Sequence, residues 1–244
     1  MPAPAKTTPA EGVIASEGFD DYHLSLERWE ERGGAFYVAV PTMKVHFLFE
    51  EGTAGPWRDA DRTRFVREFE RLVRQYWGLY QIGRSAAGHR IALSPRFETR
   101  IGGFWVMDHW EVVVVNSEDG RINAAGDLGE THGGRRFAPG PANRRNRIYL
   151  SAAGNRRWQF VPGVITIPSV HEYGHMLNFA EEDEYEYIRN GREWDPTRDR
   201  QSVLNYGTTV RARHVRPVLE WAQRKAADYE RETAARRRSA ATLR

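Results

Sequence analysis

The chain of 244 residues contains no cysteine, and this absence excludes several classes of site. Disulfide scaffolds, thiolate zinc fingers and cysteine nucleophiles all need the thiol group. A latency mechanism in which a propeptide thiol occupies a catalytic metal is excluded for the same reason. Any zinc ion held by this chain must therefore be bound through nitrogen and oxygen atoms.

Long apolar runs are absent as well. No stretch approaches the roughly 20 apolar residues that a membrane-spanning helix needs, so no membrane partner is expected. Residues 1–16 are rich in Pro, Ala and Thr, lack the apolar core of a secretory signal, and are predicted to form a disordered leader. We therefore expect a protein that stays in the cytoplasm, or an effector exported without a cleavable signal peptide.

The net charge is +3, and arginines cluster between Gly133 and Trp158 and again at Arg236–Arg238. A nucleic-acid-binding protein would need such a patch. Here no binding motif and no interleaving of aromatic with basic residues accompanies the charge. The first cluster is interpreted as a solvated, Gly- and Pro-rich loop whose arginines reflect a GC-rich bacterial genome. Nucleic acid is therefore not the expected partner.

The apolar pattern predicts an α+β fold in a single domain of residues 17–244. Alternating or continuous apolar segments indicate strands, and apolar residues at helical spacing indicate helices. Strands are predicted at 35–40, 43–49, 90–95, 97–101 and 110–115, with an edge strand at 147–151; helices are predicted from Asp59 or Asp61 to Trp77, ended by Gly78, and from Val215 to Ala234. The stretch between the last two of these strands is long, aperiodic and rich in Gly, Pro and Arg, so it is predicted to be a functional or mobile loop.

The pentapeptide His171-Glu172-Tyr173-Gly174-His175 is the feature that points to a chemistry. Two imidazoles four residues apart lie on one face of a helix, where both can bind one zinc ion. The glutamate between them can reach a water on the same metal. A helix can also carry two histidines with no metal, but a helix buried with these polar groups needs a partner for them.

The residues around the motif favour a buried helix. Pro168 suits the first turn, and Ser169 or Thr166 is predicted to cap the helix. Gly174 allows a neighbouring segment to approach closely. After the motif the chain becomes acidic at residues 181–185, so an oxygen ligand is available to complete a zinc site.

The motif and the residues that follow it resemble the metzincin clan of zinc peptidases. In that clan a glycine turns the chain after the active-site helix, and Asn178, which also tolerates the left-handed conformation, stands in its place. The stretch Ser202–Gly207 resembles the clan's Met-turn, with Leu204 where the clan has methionine. The resemblance implies a zincin fold: a mixed twisted sheet and helices form an upper lobe, about 35–178, and a small lower lobe, about 179–244, ends in a helix.

Snapalysins and IgA-peptidase-like enzymes are the nearest likeness within the clan, and they use an aspartate as third zinc ligand. Counting from His175 without a gap places Glu181 at the ligand position. Matching the sequence Asp-Glu-Tyr places Asp183 there instead, and the two alignments stay open. The remaining carboxylates are interpreted as a solvated loop or, alternatively, as a calcium site built from oxygen ligands.

The resemblance implies a zinc-dependent endopeptidase that acts, as a monomer, on protein or peptide substrates. Glu172 is the expected general base. Tyr206 lies where astacin-like members place a tyrosine that touches the metal or stabilises the oxyanion, and packing beneath the site is its alternative role. The edge strand of metzincins pairs with extended substrate, which makes four residues candidates for substrate binding: Arg147, Ile148, Tyr149 and Leu150.

Two other functions are alternatives from the sequence. One is a zincin-fold binding protein whose site is gated or inactive, although retention of Glu172 argues for an active one. The other is a basic nucleic-acid-binding protein with structural zinc, but structural zinc sites favour cysteine. The other histidines discussed, His46, His109, His132 and His214, are not spaced to join the metal; His214 is expected to cap the last helix or line the cleft.

Overall fold

The computed structural model describes residues 9–31, 34–103, 109–117, 146–177 and 199–242. They form a mixed α+β fold, as the sequence predicts. The strands are β1 (Pro9–Gly18), β2 (His23–Glu31), β3 (Gly34–Glu50), β4 (Leu79–Arg84), β5 (Arg90–Leu93), β6 (Arg96–Ile101), β7 (Trp110–Val115), β8 (Asn146–Ser151), β9 (Trp158–Val161) and β10 (Val164–Thr166). The helices are α1 (Asp59–Trp77), α2 (Pro168–Met176) and α3 (Ala212–Thr242).

Eight of these strands form one sheet around β3. Strands β5 and β6 follow one edge of β3 in parallel, while β2 pairs antiparallel and β7 parallel along its other edge. Strand β1 extends the sheet beside β2, β4 beside β5 and β8 beside β7. Strand β7, which confirms the strand predicted at 110–115, lies between β3 and β8 and is buried along its whole length.

Strand β3 was expected as two strands, 35–40 and 43–49, separated near Pro41, and that expectation is wrong. The ladder to β2 runs on through the proline, which lies opposite Leu24. On the other side of β3, β5 ends opposite Ala39 and β6 begins opposite Thr42. Pro41 therefore lies beside the gap between those two strands, where its missing N–H removes no ladder hydrogen bond.

The prediction of a disordered leader at residues 1–16 is wrong for its second half. From Pro9 the chain forms β1, which pairs antiparallel with β2. Strand β2 was not predicted either, although Leu24 and Leu26 alternate along it and are buried. Strand formation in this segment depends on a neighbouring strand to pair with more than on composition. Ile14 and Ala15, for example, pack against the core only as part of the sheet.

Helix α1 confirms its predicted bounds, and Gly78 closes it by donating its N–H to the Arg74 carbonyl over 3.0 Å. Its apolar stripe, including Phe69 and Val73, packs on one face of the sheet. At its end Trp77 donates its indole N–H to the Val170 carbonyl of α2 over 2.9 Å. Helix α1 therefore supports the helix that carries the histidines.

Helix α3 is longer than the predicted 215–234 and packs against β2, β3 and β4. The contact with β4 is close, because a Cβ added at Gly83 would lie 2.5 Å from Cδ1 of Leu219. Near the other end Glu230 accepts hydrogen bonds from the hydroxyls of Ser85 and Tyr37 over 2.7 and 3.1 Å. None of the helices in the described ranges is both long and apolar enough to cross a membrane.

One hydrophobic cluster runs through the sheet, α1, α2, the turn near Leu204 and α3. The start of the proposed lower lobe, up to residue 198, lies outside the described residues, as do residues 118–145 of the predicted loop. The division into upper and lower lobes stays a prediction.

Candidate metal centre

Helix α2 begins at Pro168, as predicted, but its cap differs from the predicted one. Ile167 is the N-cap residue, and no side chain caps the helix. Ser169 lies inside the first turn, and the Thr166 hydroxyl donates to the Tyr206 carbonyl. The Thr166 hydroxyl, which was expected to cap the helix, therefore connects the segment that leads into α2 to the turn at residues 202–207.

One face of α2 is fixed in the core by Tyr173. Its ring contacts Trp77 and Phe97 edge-on, with centroids 5.5 and 5.6 Å away. Burial, and secondarily the nearby phenol of Tyr22, raises the pKa of Tyr173 well above its ordinary value. The phenol is therefore neutral, and Tyr173 orients the helix without being a candidate base.

The two histidines meet one helical turn apart, as the spacing predicts. The Nε2 atoms of His171 and His175 lie 3.1 Å from each other. Two nitrogens bound to one tetrahedral zinc ion at normal bond lengths lie about 3.3 Å apart. The same separation also allows one ring to donate a hydrogen bond to the other.

A backbone carbonyl determines the tautomer of His171. Its Nδ1 lies 2.8 Å from the Val203 carbonyl oxygen, which can only accept, so the proton is on Nδ1. The lone pair of Nε2 is then directed toward His175. Metal-binding histidines commonly have their second ring nitrogen fixed in this way, so the two imidazoles fit zinc.

Glu172 lies between the two histidines and is only 1% exposed, whereas His171 is 8% exposed. Carboxylates are rarely buried so deeply in proteins unless they are paired or serve a site. The burial of Glu172 next to two converging imidazoles is the environment expected of a general base in a zinc peptidase.

The turn at Ser202–Gly207 lies directly against α2. A Cβ added at Gly174 would stand 2.5 Å from Cδ2 of Leu204 and 3.0 Å from the ring of Trp77. Gly174 therefore permits the close approach that the sequence predicts, and Leu204 is the side chain that packs against it. The turn ends at Gly207, where a side chain would collide with the Gln201 carbonyl, so this position accommodates only glycine.

Two arginines fasten the segment that carries this turn. Arg211 and Arg213 both bind the carboxylate of Asp199, with Nε of Arg211 at 3.1 Å and a terminal nitrogen of Arg213 at 2.6 Å. Hydrogen bonds from Arg211 outweigh the effect of burial and, together with Arg213, lower the pKa of Asp199. Nothing in the sequence pattern pointed to this ion-pair cluster.

Among the described residues no group of three potential ligands surrounds one point. Glu181 and Asp183, the two candidates for the third ligand, lie outside them, as do Asn178 and the alternative calcium site. Tyr206 is half-buried, and its proposed contact with the metal or the oxyanion stays a prediction.

Strand β8 pairs only with β7 among the described strands, as expected of an edge. The side chains of Ile148 and Leu150 are fully buried in the core, so only their backbone can contact a substrate. Arg147 binds the buried Glu111 at 2.6 Å. Burial opposes the charge on Arg147, but the Glu111 and Tyr149 contacts outweigh it and raise its pKa. The role of the four residues in substrate binding stays a prediction.

Three further histidines of the described ranges have structural partners. His46 lies between Gly102 and Arg100, and His109 accepts the Lys44 N–H over 3.0 Å. His214 caps α3 by accepting the Arg211 N–H over 3.1 Å, which confirms the first of its two predicted roles. His132 lies outside the described residues.

Comparisons with protein-family models, with curated proteins and with solved structures found no match to this chain. The metzincin resemblance therefore depends on the motif and on the contacts described above.

Proposed function

We propose that this protein is a zinc-dependent endopeptidase of the metzincin type. The observation that carries the proposal is the pair of Nε2 atoms of His171 and His175, 3.1 Å apart, with Nδ1 of His171 held by the Val203 carbonyl. That carbonyl belongs to the turn which resembles the Met-turn. A chance His-Glu-x-x-His helix would have no reason to rest its first histidine on such a turn.

His171 and His175 would hold the metal, together with Glu181 or Asp183. A zinc ion held there would supply a water of near-neutral pKa and a Lewis acid for the scissile carbonyl. Glu172 accepts the proton of the attacking water and returns it to the leaving amine. The Val203 carbonyl keeps the proton of His171 on Nδ1 throughout, and Tyr206 is the candidate to stabilise the oxyanion.

The variant Glu172→Gln tests the base without changing the shape of the side chain. Zinc content should stay near one equivalent, while cleavage of an unfolded protein falls about 10²- to 10⁴-fold, the usual contribution of a general base. The measurements are elemental analysis and the release of labelled peptides. Equal cleavage by this variant would contradict the proposed mechanism, and a wild type that binds no zinc would refute the proposed function.

Two results would favour the alternative functions. Zinc binding without cleavage of any peptide in a proteome-derived library would favour a zincin-fold binding protein. Salt-dependent binding of DNA or RNA that survives removal of zinc by a chelator would favour a basic nucleic-acid-binding protein.

A further inference from the structure

The C-terminal helix is connected to His171 through a buried hydrogen-bonded path. Ser202, Val203 and His214 are each at most 3% exposed. We propose that Ser202 and His214 are positioning residues that hold the Val203 carbonyl in place and thereby fix the tautomer and orientation of His171. The consequence for zinc rests on the proposed function, whereas the effect on the His171 ring does not.

Ser202 is the hub of the turn. Its carbonyl accepts the N–H groups of Asn205 and Gly207 over 3.0 and 2.9 Å, and its hydroxyl accepts the Leu204 N–H over 3.3 Å. Val203 lies between these contacts and donates its own N–H to the Thr209 carbonyl over 2.9 Å. The direction of the Val203 carbonyl is therefore determined by how Ser202 is held.

His214 holds the hydroxyl of Ser202. Because its Nδ1 accepts the Arg211 N–H, the ring proton is on Nε2, which lies 3.4 Å from Oγ of Ser202. The ring of Trp77 lies beside His214, with centroids 6.3 Å apart. Trp77 also binds the Val170 carbonyl at 2.9 Å, so α2 and the start of α3 share one support.

The two nitrogens of His214 have different tasks, and two substitutions separate them. His214→Asn keeps an acceptor near the Nδ1 position for the helix cap but loses the donor to Ser202. His214→Gln keeps a donor near the Nε2 position but loses the cap. A purely structural role predicts that both variants lose stability and that neither changes the zinc affinity.

We expect the His214→Asn variant to bind zinc about 10- to 100-fold more weakly, the usual effect of losing a residue that orients a metal ligand. Ser202→Ala should weaken binding similarly, and the double variant should lose little more than either single one, because both changes break one path. His214→Gln should bind zinc nearly as tightly as the wild type. Competition with a chromophoric chelator measures these affinities.

The tautomer of His171 is a second measurement that needs no metal. Long-range ¹H–¹⁵N spectra of the zinc-free protein should show His171 protonated on Nδ1 in the wild type and in His214→Gln. In His214→Asn and Ser202→Ala the ring should become a mixture of tautomers. Glu230→Gln, which removes the Oε2 acceptor of the Ala87 N–H from the middle of α3, is the matched control and should change neither readout.

An unchanged tautomer in both His214→Asn and Ser202→Ala would overturn the inference, as would a wild-type His171 that is not protonated on Nδ1. A wild type that binds no zinc refutes the proposed function instead, and the spectra still decide the role of Ser202 and His214. Folding of each variant is checked by circular dichroism and thermal unfolding.

Discussion

Two buried histidines, His171 on α2 and His46 on β3, differ in the partners of their ring nitrogens and therefore in what those nitrogens can bind. Each has one ring nitrogen on a backbone carbonyl: Nδ1 of His171 on Val203 at 2.8 Å, and Nε2 of His46 on Gly102 at 3.0 Å. They differ at the second nitrogen. That of His171 faces another imidazole, whereas that of His46 lies 3.1 Å from the guanidinium of Arg100.

The difference teaches that burial and a carbonyl partner do not make a metal ligand. The guanidinium of Arg100 donates a hydrogen bond to the lone pair on Nδ1 of His46, and its positive charge repels a metal cation. On α2 the second nitrogen of His171 faces the imidazole of His175, four residues away on the same helix. The side chain that faces the second ring nitrogen therefore decides whether the lone pair on that nitrogen accepts a structural hydrogen bond or can bind a metal.

The largest expected effect comes from removing each histidine in turn. If the proposed function holds, His171→Ala should reduce bound zinc from about one equivalent to almost none, since the proposed site takes two of its ligands from this helix. His46→Gln, the matched change in the sheet, should leave zinc content unchanged. Elemental analysis after dialysis measures both, and the comparison fails if the sheet variant loses zinc or the helix variant retains it. Glu181→Ala and Asp183→Ala belong in the same series, and the third ligand is the one whose loss empties the site.

An intermediate effect is expected from Gly174→Ala, which pushes the turn away from α2. Alanine normally stabilises a helix relative to glycine by about 1 kcal/mol, but here its Cβ would lie 2.5 Å from Leu204. We expect the free energy of unfolding to fall by about 1 to 3 kcal/mol, the usual cost of overpacking. Zinc affinity should fall as well, since the Val203 carbonyl moves with the turn.

Gly18→Ala is the control for that change, because a Cβ at Gly18 would have only an ordinary contact, 3.9 Å from His23. Urea unfolding measures both variants. A Gly174→Ala protein that is more stable than the wild type would mean that the turn does not press on α2.

The smallest expected effect concerns Asp199 and pH. Its pKa in the folded protein is lowered, chiefly by hydrogen bonds from Arg211. The resulting stability is complete above the ordinary aspartate pKa and is lost as the pH falls through the lower, folded value. Because the side chain is 31% exposed, Asp199→Asn should cost only about 0.5 to 1 kcal/mol at pH 7.

That difference should disappear at a pH below the folded pKa, as measured by urea unfolding across the acid range. Asparagine tolerates the positive φ of 45° at this position, so the change isolates the charge. Glu30→Gln removes an exposed ion pair with Arg28 and should have no measurable effect at pH 7. A cost for Asp199→Asn that is independent of pH would show that the ion pair is not its source.

Much of the fold was predictable where a segment carries its own pattern. Helix α1 and strand β7 follow from the apolar pattern alone, because α1 buries one contiguous face and β7 is buried at every residue. Strands β1 and β2 were missed because β2 forms by pairing with β3, and β1 forms by pairing with β2. The continuous β3 was missed because the tolerance of Pro41 depends on where the neighbouring strands end.

The candidate site was predictable to a similar extent. His171 and His175 are one turn apart on one helix and Glu172 follows His171 directly, so their juxtaposition is a local property. A close approach at Gly174 was anticipated, but the structure was needed to show that Leu204 makes it. The roles of Ser202 and Asp199 were not anticipated, because they join residues on separate elements by hydrogen bonds that leave no periodic trace in the sequence.

The sequence by itself determined that two imidazoles and a carboxylate share one short helix, since helical geometry fixes residues four apart. It also determined that no thiolate can complete a zinc site. Only the tertiary structure decided which nitrogen of His171 carries the proton, because that depends on the Val203 carbonyl, 32 residues away. The physical reason is that a histidine's ligand atom is selected by the partner of its other nitrogen, and that partner is brought by the fold.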